Sequence, residues 1–329
     1  NRRMASLKQA KIFRQQAQAD RDLLVNTIIY DAALAYFDWL KRYNELQLYS
    51  EFLTNAEIRF NGVKQNVLVG ESAAIDSVEA RITVNNRKLS LEQARVKLIK
   101  SSLELSNFLW LENDMPVELQ PNVIPDTNSE SRIDNTLRVS DLNIDSFDVE
   151  VHPKMQSLGY KFESQKIEKR LKANMLLPRV DLKYNFLSET PDAVNSFNTA
   201  NYTSGVAMQF PLFLRKERGD LKLAKLKMKN TEYDITRTRL NIQNKVEAIK
   251  NELNSFVLQN DLTETVVQDY QRMVVAEERK FEVGESSLFL VNSRESKLME
   301  ARLKAISLEN KYFETKARLF SSMAGEINL

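Results

Sequence analysis

All seven prolines of this 329-residue chain fall between Pro116 and Pro211. Two long arms, 1–115 and 212–329, thus lack the one residue that both removes a backbone donor and clashes with the preceding helical turn. Glycine is scarce as well, at 7 residues in 329, against a usual frequency of ~7%. Each arm is broken once, and by the same tetrapeptide: Val69-Gly70-Glu71-Ser72 and Val283-Gly284-Glu285-Ser286, an offset of 214 (284 − 70). The same offset aligns Leu7-Lys8 with Leu221-Lys222 and Ala10-Lys11 with Ala224-Lys225. Ser90-Leu91-Glu92 recurs as Ser307-Leu308-Glu309 at 217 (307 − 90), as if about one helical turn had been inserted. Matches in the same order in arms of similar length are the mark of an internal duplication.

The apolar spacing of the arms is helical. Val25, Ala32, Trp39, Leu46, Leu53 and Phe60 step by seven, and so do Ile75, Ile82, Leu89, Val96, Leu103 and Trp110. In the second arm Leu221, Met228, Ile235, Ile242, Ile249 and Phe256 repeat in the same way, as do Val291, Leu298, Ala305, Tyr312 and Leu319. A sustained period of seven keeps one stripe against a neighbouring helix. A second row accompanies two of these: Val84, Leu91, Leu98 and Leu105 beside the first, and Met299, Ile306, Phe313 and Phe320 beside the last. Residues two apart on a helix are separated by about 200°, so the 75–110 helix carries apolar rows on nearly opposite sides. That pattern suits a cylinder wall with a neighbour on each flank; a plain antiparallel bundle needs only one row. A single helix over 216–282 would be about 100 Å long. Each Val-Gly-Glu-Ser then forms the tip of a helical hairpin, with glycine in the left-handed turn and Glu-Ser opening the returning helix. Both tips are expected to point the same way.

The middle of the chain changes character. Residues 113–153 contain turn chemistry (Asn113-Asp114-Met115-Pro116, Pro121 to Pro125, Asn128 to Ser131). Leu137, Val139, Leu142, Ile144, Phe147, Val149 and Val151 supply apolar anchors for a small mixed subdomain, and the alternation over 147–151 predicts a short strand. A helix is expected over 154–177, ending before Pro178. Then the period becomes two. Val180, Leu182, Tyr184 and Phe186 alternate with polar residues, and after a polar loop Tyr202, Ser204, Val206, Met208 and Phe210 form one face of a second run. Two strands of roughly ten residues fit a tilted bilayer crossing, with aromatic residues near the ends as in an interfacial girdle. A half-buried soluble hairpin satisfies the same alternation. A lone hairpin is barely stable and lipid tolerates no open strand edge, so a membrane role requires strands from elsewhere.

These residues together resemble the TolC-like outer-membrane efflux proteins. Pro178-Arg179-Val180-Asp181-Leu182 is similar to that family's proline-led start of a barrel strand, and Gly205-Val206 through Phe210-Pro211-Leu212-Phe213 to its passage from strand to long helix. Arg59-Phe60 with Val69-Gly70 and Asp76, and Lys280-Phe281 with Val283-Gly284, resemble its two helix-tip motifs, the first with extra residues between Phe60 and Val69. The resemblance covers nearly the whole chain. It implies a mainly α protein with a small β part, in which long antiparallel helical hairpins form the wall of a helical barrel. A transmembrane β-hairpin contributes to a trimeric β-barrel. The implied division is a first helical hairpin over 1–112 with its tip at about 61–73, an equatorial subdomain over 113–153 and a helix over 154–177. A membrane hairpin over 178–212 and a second helical hairpin over 213–329, tip at about 282–287, complete it.

The resemblance further implies a homotrimer in the outer membrane, in contact with its lipid, with helices in the periplasm of a Gram-negative-type cell. Such a trimer is a passive duct for efflux or type I secretion. A periplasmic adaptor (membrane-fusion) protein would dock on Val69, Gly70, Glu71, Ser72, Val283, Gly284, Glu285 and Ser286, and an inner-membrane pump would act indirectly. Val180, Leu182, Tyr184, Phe186, Tyr202, Val206, Met208 and Phe210 would face the membrane. Asp76 matches the family's acidic gate position after the first tip, whereas the corresponding places after the second hold Leu290 and Ser293. An entrance gate is thus expected to rest on Asp76 without a second carboxylate ring. Only one β-hairpin is present, so the sequence is expected to be an N-terminally truncated member, missing a signal peptide, a helix and a first hairpin.

Composition narrows the alternatives. Lysine and arginine number 47 against 45 acidic residues, a net charge of +2, which offers no nucleic-acid footprint. The absence of cysteine removes disulfides, thiolate catalysis and thiolate metal sites. No uninterrupted apolar run of membrane-spanning length is evident, so no transmembrane helix is expected. His152 is the sole histidine and reads as structural. Glu277-Glu278 reads as a solvated pair. No nucleophile–base constellation, phosphate loop or cofactor motif can be assembled, so no enzyme and no cofactor is expected. Two readings stay open: a channel subunit, or a periplasmic coiled-coil adaptor or scaffold with no pore.

Overall fold

A computed structural model of the chain describes residues 2–126, 133, 147–186, 202–209 and 213–324. Four helices dominate it: α1 (Arg2–Leu68), α2 (Ala74–Ser106), α4 (Arg215–Glu282) and α5 (Leu288–Met323). Between α2 and α4 come a ribbon of β1 (Trp110–Leu111) with β2 (Met115–Pro116), helix α3 (Pro153–Asn174), and an antiparallel pair, β3 (Arg179–Phe186) with β4 (Tyr202–Gln209). The Pro-free arms thus become helical hairpins. α1 and α4 run unbroken for 67 and 68 residues, several times the globular average of about 11–12.

The chain groups into two compact units. One comprises residues 1–23 and 148–241, the other 24–147 and 242–329. In the first, packing is thin and polar pins hold the helices. Ser157 donates to Asp20 at 2.7 Å, Lys172 pairs with Asp220 at 2.9 Å, and Arg239 with Glu150 at 2.6 Å. His152 caps α3, its Nδ1 accepting from the Lys154 N–H at 3.0 Å just before Pro153 at the first helical position. The histidine is structural, as its turn context indicates.

In the second unit the core is a succession of apolar clusters. Phe37 and Leu40 of α1 meet Ile133 and Phe313, Ala317 and Phe320 of α5; Leu48 and Phe52 of α1 meet Val274 of α4 and Leu298 of α5. Val63, Ala80 and Leu288 close the series beneath the tips, with Phe60, Val67 and Phe281 packed on them. Each fully buried side chain of this size contributes about 1.5–3 kcal/mol. Of the two apolar rows on α2, Val84 and Leu105 are buried, whereas Ile75, Ile82, Leu89, Val96 and Leu103 are exposed. On α5 both rows turn inward, and Val291, Leu298, Phe313, Leu319 and Phe320 are all buried.

Several expectations need correction. α2 stops at Ser106, whose Oγ accepts from the Leu119 N–H at 2.9 Å. Trp110 is consequently in a strand, exposed, and no part of the helical row. Residues 149–151 form a 3₁₀ turn instead of a strand, because Asp148 accepts from the Glu150 N–H at 2.9 Å. One 18-residue stretch in α1 is long and apolar enough, by length and composition, to cross a membrane, contrary to expectation. Only 22% of that stretch is buried within the chain; on the same helix Phe37, Trp39 and Leu40 are buried while Leu24 and Ile28 are exposed. Leu137, Val139, Leu142 and Ile144 lie outside the described residues.

Candidate functional site at the helix tips

The two tips are one turn built twice. At the first, Gly70 N–H donates to Val67 C=O at 3.2 Å and Glu71 N–H to Asn66 C=O at 2.8 Å. At the second, Gly284 N–H donates to Phe281 C=O at 3.0 Å and Glu285 N–H to Lys280 C=O at 2.8 Å. This crossed pair is the Schellman ending, which needs a left-handed residue just past the helix. Gly70 has φ of 82° and Gly284 of 77°. Lys280-Phe281 therefore corresponds in space to Asn66-Val67, and Arg59-Phe60 sits two turns back on α1. The extra residues before Val69 simply prolong the helix to Leu68.

Glu-Ser belongs to the turn itself and not to the returning helix, which starts at Ala74 or Leu288. Ser287 is the cap of α5, accepting from the Leu290 N–H at 3.4 Å, while Ala73 at the start of α2 makes no side-chain cap. Asp76 supplies the first-turn carboxylate of α2; the first turn of α5 has none. Glu71 and Ser72 of one tip and Gly284 and Ser286 of the other line a single cleft of about 930 Å³, together with Asp76, Glu278 and Glu282. The two tips therefore open to the same side, as the repeat predicts. Val69 and Val283 are exposed at the apices. Leu290 and Ser293 are exposed on α5 and are not among the residues lining the cleft.

Directly behind the cleft lies an ionic cluster that sequence reasoning did not find. Glu295 of α5 is 2% exposed, and Arg59 of α1 donates to its two oxygens at 3.1 and 3.2 Å. Arg59 also reaches Glu278 of α4 at 2.9 Å, and Arg87 of α2 stands 3.6 Å from Glu295. The Glu295 carboxylate ties α5 to α1 and α2, and Arg59 carries the link on to α4 through Glu278. Burial alone would lower the pKa of Arg59, but the hydrogen bonds and charges of Glu295 and Glu278 outweigh it and hold the guanidinium above its ordinary value. Glu278 is thus an ion-pair partner and not a merely solvated carboxylate. Glu277 accepts from Ser286 at 2.5 Å, so it braces the second tip. Phe52 is flanked by two guanidinium groups, Arg87 and Arg302, each 5.7 Å from its ring centroid.

The β-hairpin offers a second surface. Its register pairs Val180 with Met208, Leu182 with Val206, Tyr184 with Ser204 and Phe186 with Tyr202. One face is therefore apolar, while Asp181 opposite Ala207 and Lys183 opposite Gly205 form the other. Over the described residues each strand runs for eight. Val180, Leu182, Val206 and Met208 are all exposed. The side chains of Tyr184, Phe186 and Tyr202, and all of Phe210, lie outside the described residues. Among the described residues no cluster of metal-ligating side chains occurs.

Comparison with known proteins gives this geometry a context. No protein of curated function matches the sequence significantly. Solved structures of the same fold include the CmeC outer membrane channel of Campylobacter jejuni, with a TM-score of 0.76 at 14% identity, covering 98% of this chain and 67% of that one. The outer membrane protein VceC of Vibrio cholerae gives 0.77 at 13%, over 98% and 75%. The open-state MtrE outer membrane channel of Neisseria gonorrhoeae gives 0.75 at 14%, over 98% and 71%. The fold is that of TolC-like helical-barrel channels, as the tips and strand motifs led one to expect. The profile of the outer membrane efflux proteins matches residues 152–325, and the chain belongs to that family.

Proposed function

We propose that this chain is the subunit of a passive export duct. Three copies assemble in the outer membrane, each adding its β3–β4 ribbon to a shared barrel and its long helices to a periplasmic tube. The observation that carries this reading is the hairpin: an eight-pair ladder with exposed Val180, Leu182, Val206 and Met208 on one face and, among the described residues, no further strand on either edge, a form that is unstable alone and intolerable in lipid until closed by further strands. Val180, Leu182, Val206 and Met208 face lipid in this arrangement.

The paired tips receive a periplasmic adaptor, through which an inner-membrane pump acts. Val69 and Val283 present apolar apices, and the cleft behind them is a preformed recess. Asp76 lies at the lip of the tube, with Leu290 and Ser293 on the neighbouring helix. The reading as a poreless scaffold is disfavoured by hairpin edges that pair with no other strand among the described residues. Purified protein reconstituted in planar bilayers is expected to give trimers and discrete conductance steps; a water-soluble monomer without conductance overturns the duct.

A further inference from the structure

In the second unit α1, α4 and α5 leave between them a cleft of about 700 Å³ that shares no residue with the one at the tips. Its size is within the usual range of small-molecule sites, about 300–1,000 Å³. Its charge is one-sided: the charged side chains lining it are Glu51, Asp261, Glu264 and Glu309 against Arg302 alone. Arg302 is already held by Glu51, at 2.6 Å, and by the ring of Phe52. Carboxylates on a helix surface are commonplace, but a second feature is not. Thr263 of α4 also lines the cleft; it is 8% exposed, and its hydroxyl makes no hydrogen bond among the described residues. A hydroxyl taken out of bulk water without a partner is costly. Thr265, two residues on and exposed, satisfies its own hydroxyl at the Asp261 carbonyl, 3.1 Å away.

The cleft has two unlike ends. α4 runs toward the tips and α5 away from them, and the pair of Glu252 with Arg318 fixes their relative height. Twelve residues tip-ward of that tie, Glu264 is level with Ile306 (264 − 252 and 318 − 306). Nine residues from it Asp261 is level with Glu309, and five from it Val257 is level with Phe313. The tip-ward half is therefore acidic, closed off by the Glu51–Arg302 pair, and the other half is walled by Val257, Tyr312 and Phe313. Glu264 and Val257 are seven residues apart (264 − 257), about 10 Å along the helix. The ammonium of Lys316 stands 4.3 Å from the centroid of Tyr312, so a further positive charge is disfavoured at the aromatic end and favoured among the carboxylates.

We infer that this cleft binds a small organic cation with an apolar tail. A primary ammonium head sits among Asp261, Glu264 and the Thr263 hydroxyl, and an aromatic tail lies against Val257 and Tyr312. An ammonium carries three donors and no acceptor, which matches two carboxylates and one hydroxyl oxygen. Charge-assisted bonds of this kind are the strong ones, and burial of the tail adds apolar contact. An anion of the same shape would face four carboxylates, and a wholly apolar ligand would leave Thr263 without a partner. The site stands independently of the duct proposed above.

The test titrates the full-length assembled protein, in non-ionic detergent, with 4-phenylbutylammonium, whose length from nitrogen to ring matches the cleft. Calorimetry is expected to show saturable binding of about one cation per chain. It should be at least about tenfold tighter than binding of the uncharged 4-phenylbutanol or of the tail-less butylammonium. Asp261→Asn/Glu264→Gln should weaken the ammonium by about tenfold and leave the alcohol unchanged. Binding of the alcohol, followed by ligand-detected NMR, reports that the apolar end is intact in the variant. Thr263→Val removes the hydroxyl at nearly constant shape and should cost the ammonium about threefold or more. Equal affinity for ammonium and alcohol overturns the site, and so does ammonium binding that ignores the double substitution. Butylammonium binding as tightly as the phenyl compound reduces the effect to surface charge and likewise overturns it. Absence of saturable binding, or binding to dissociated chains with none to the assembled protein, has the same consequence.

Discussion

The guanidinium of Arg59 meets both oxygens of the buried Glu295 carboxylate, at 3.1 and 3.2 Å. The two residues are 236 apart in sequence, yet this contact ties the first arm to the second immediately behind the tips. Breaking a buried pair by removing one partner is costly because the remaining charges stay out of water. Glu295→Gln leaves Arg87 without a carboxylate and Arg59 with Glu278 alone. It should lower stability by about 3–5 kcal/mol, read as a drop in the denaturant midpoint with unchanged slope. An unchanged midpoint shows that the cluster contributes nothing net.

Acid should loosen the first unit through Asp220. The hydrogen bond and charge of Lys172 hold this carboxyl below its ordinary 3.8. A depressed folded pKa means stability that is present above about 3.8 and lost as pH falls through the lower folded value. Lys172→Met should bring the Asp220 titration, followed by carboxyl carbon NMR, back toward the ordinary value. Arg59 behaves oppositely: its pKa is raised, so its contribution persists at every pH below the arginine range and gives no slope near neutrality.

Gly70→Val and Gly284→Val test the turns by conformation alone. A Cβ at either position meets nothing within 4 Å, so any loss comes from the positive φ, at about 1–2 kcal/mol for an ordinary side chain. Asparagine tolerates that region better, and Gly→Asn variants should retain more stability and adaptor binding than Gly→Val. Equal behaviour of the two in thermal melts and co-purification removes the conformational argument.

On the hairpin, Leu182→Lys and Lys183→Leu separate the faces. A lysine at a lipid-facing site costs about 2–4 kcal/mol near the bilayer midplane, so the first should deplete protein from outer-membrane fractions, while the second leaves insertion intact. Equal recovery of both variants argues that the apolar face does not meet lipid.

The helices and their tips were legible because backbone chemistry announces them locally. Absent proline, two Val-Gly-Glu-Ser breaks and period-seven rows suffice for α1, α2, α4 and α5, and strict alternation suffices for β3 and β4. What stayed hidden depends on partners distant in the chain. Arg59, Arg87 and Glu295 each look like ordinary charges on an amphipathic helix until packing removes them from water. Periodicity finds both rows of α2 but cannot say that Val84 is covered and Val96 is bare. The 3₁₀ turn at 149–151 hinges on one side chain, Asp148, taking a backbone hydrogen that alternation assigns to a ladder.

One difference between the duplicated turns, the cap, sets an order of failure. Ser287 fastens the second return with its hydroxyl, and Ala73, its twin, has only a methyl group. A missing cap weakens a helix start by about 1 kcal/mol, so under heat or pull the first return should fray before the second. The molecule thereby carries a built-in reference: Ala73→Ser should stiffen the weaker twin toward the stronger, with every other feature of the fold held constant.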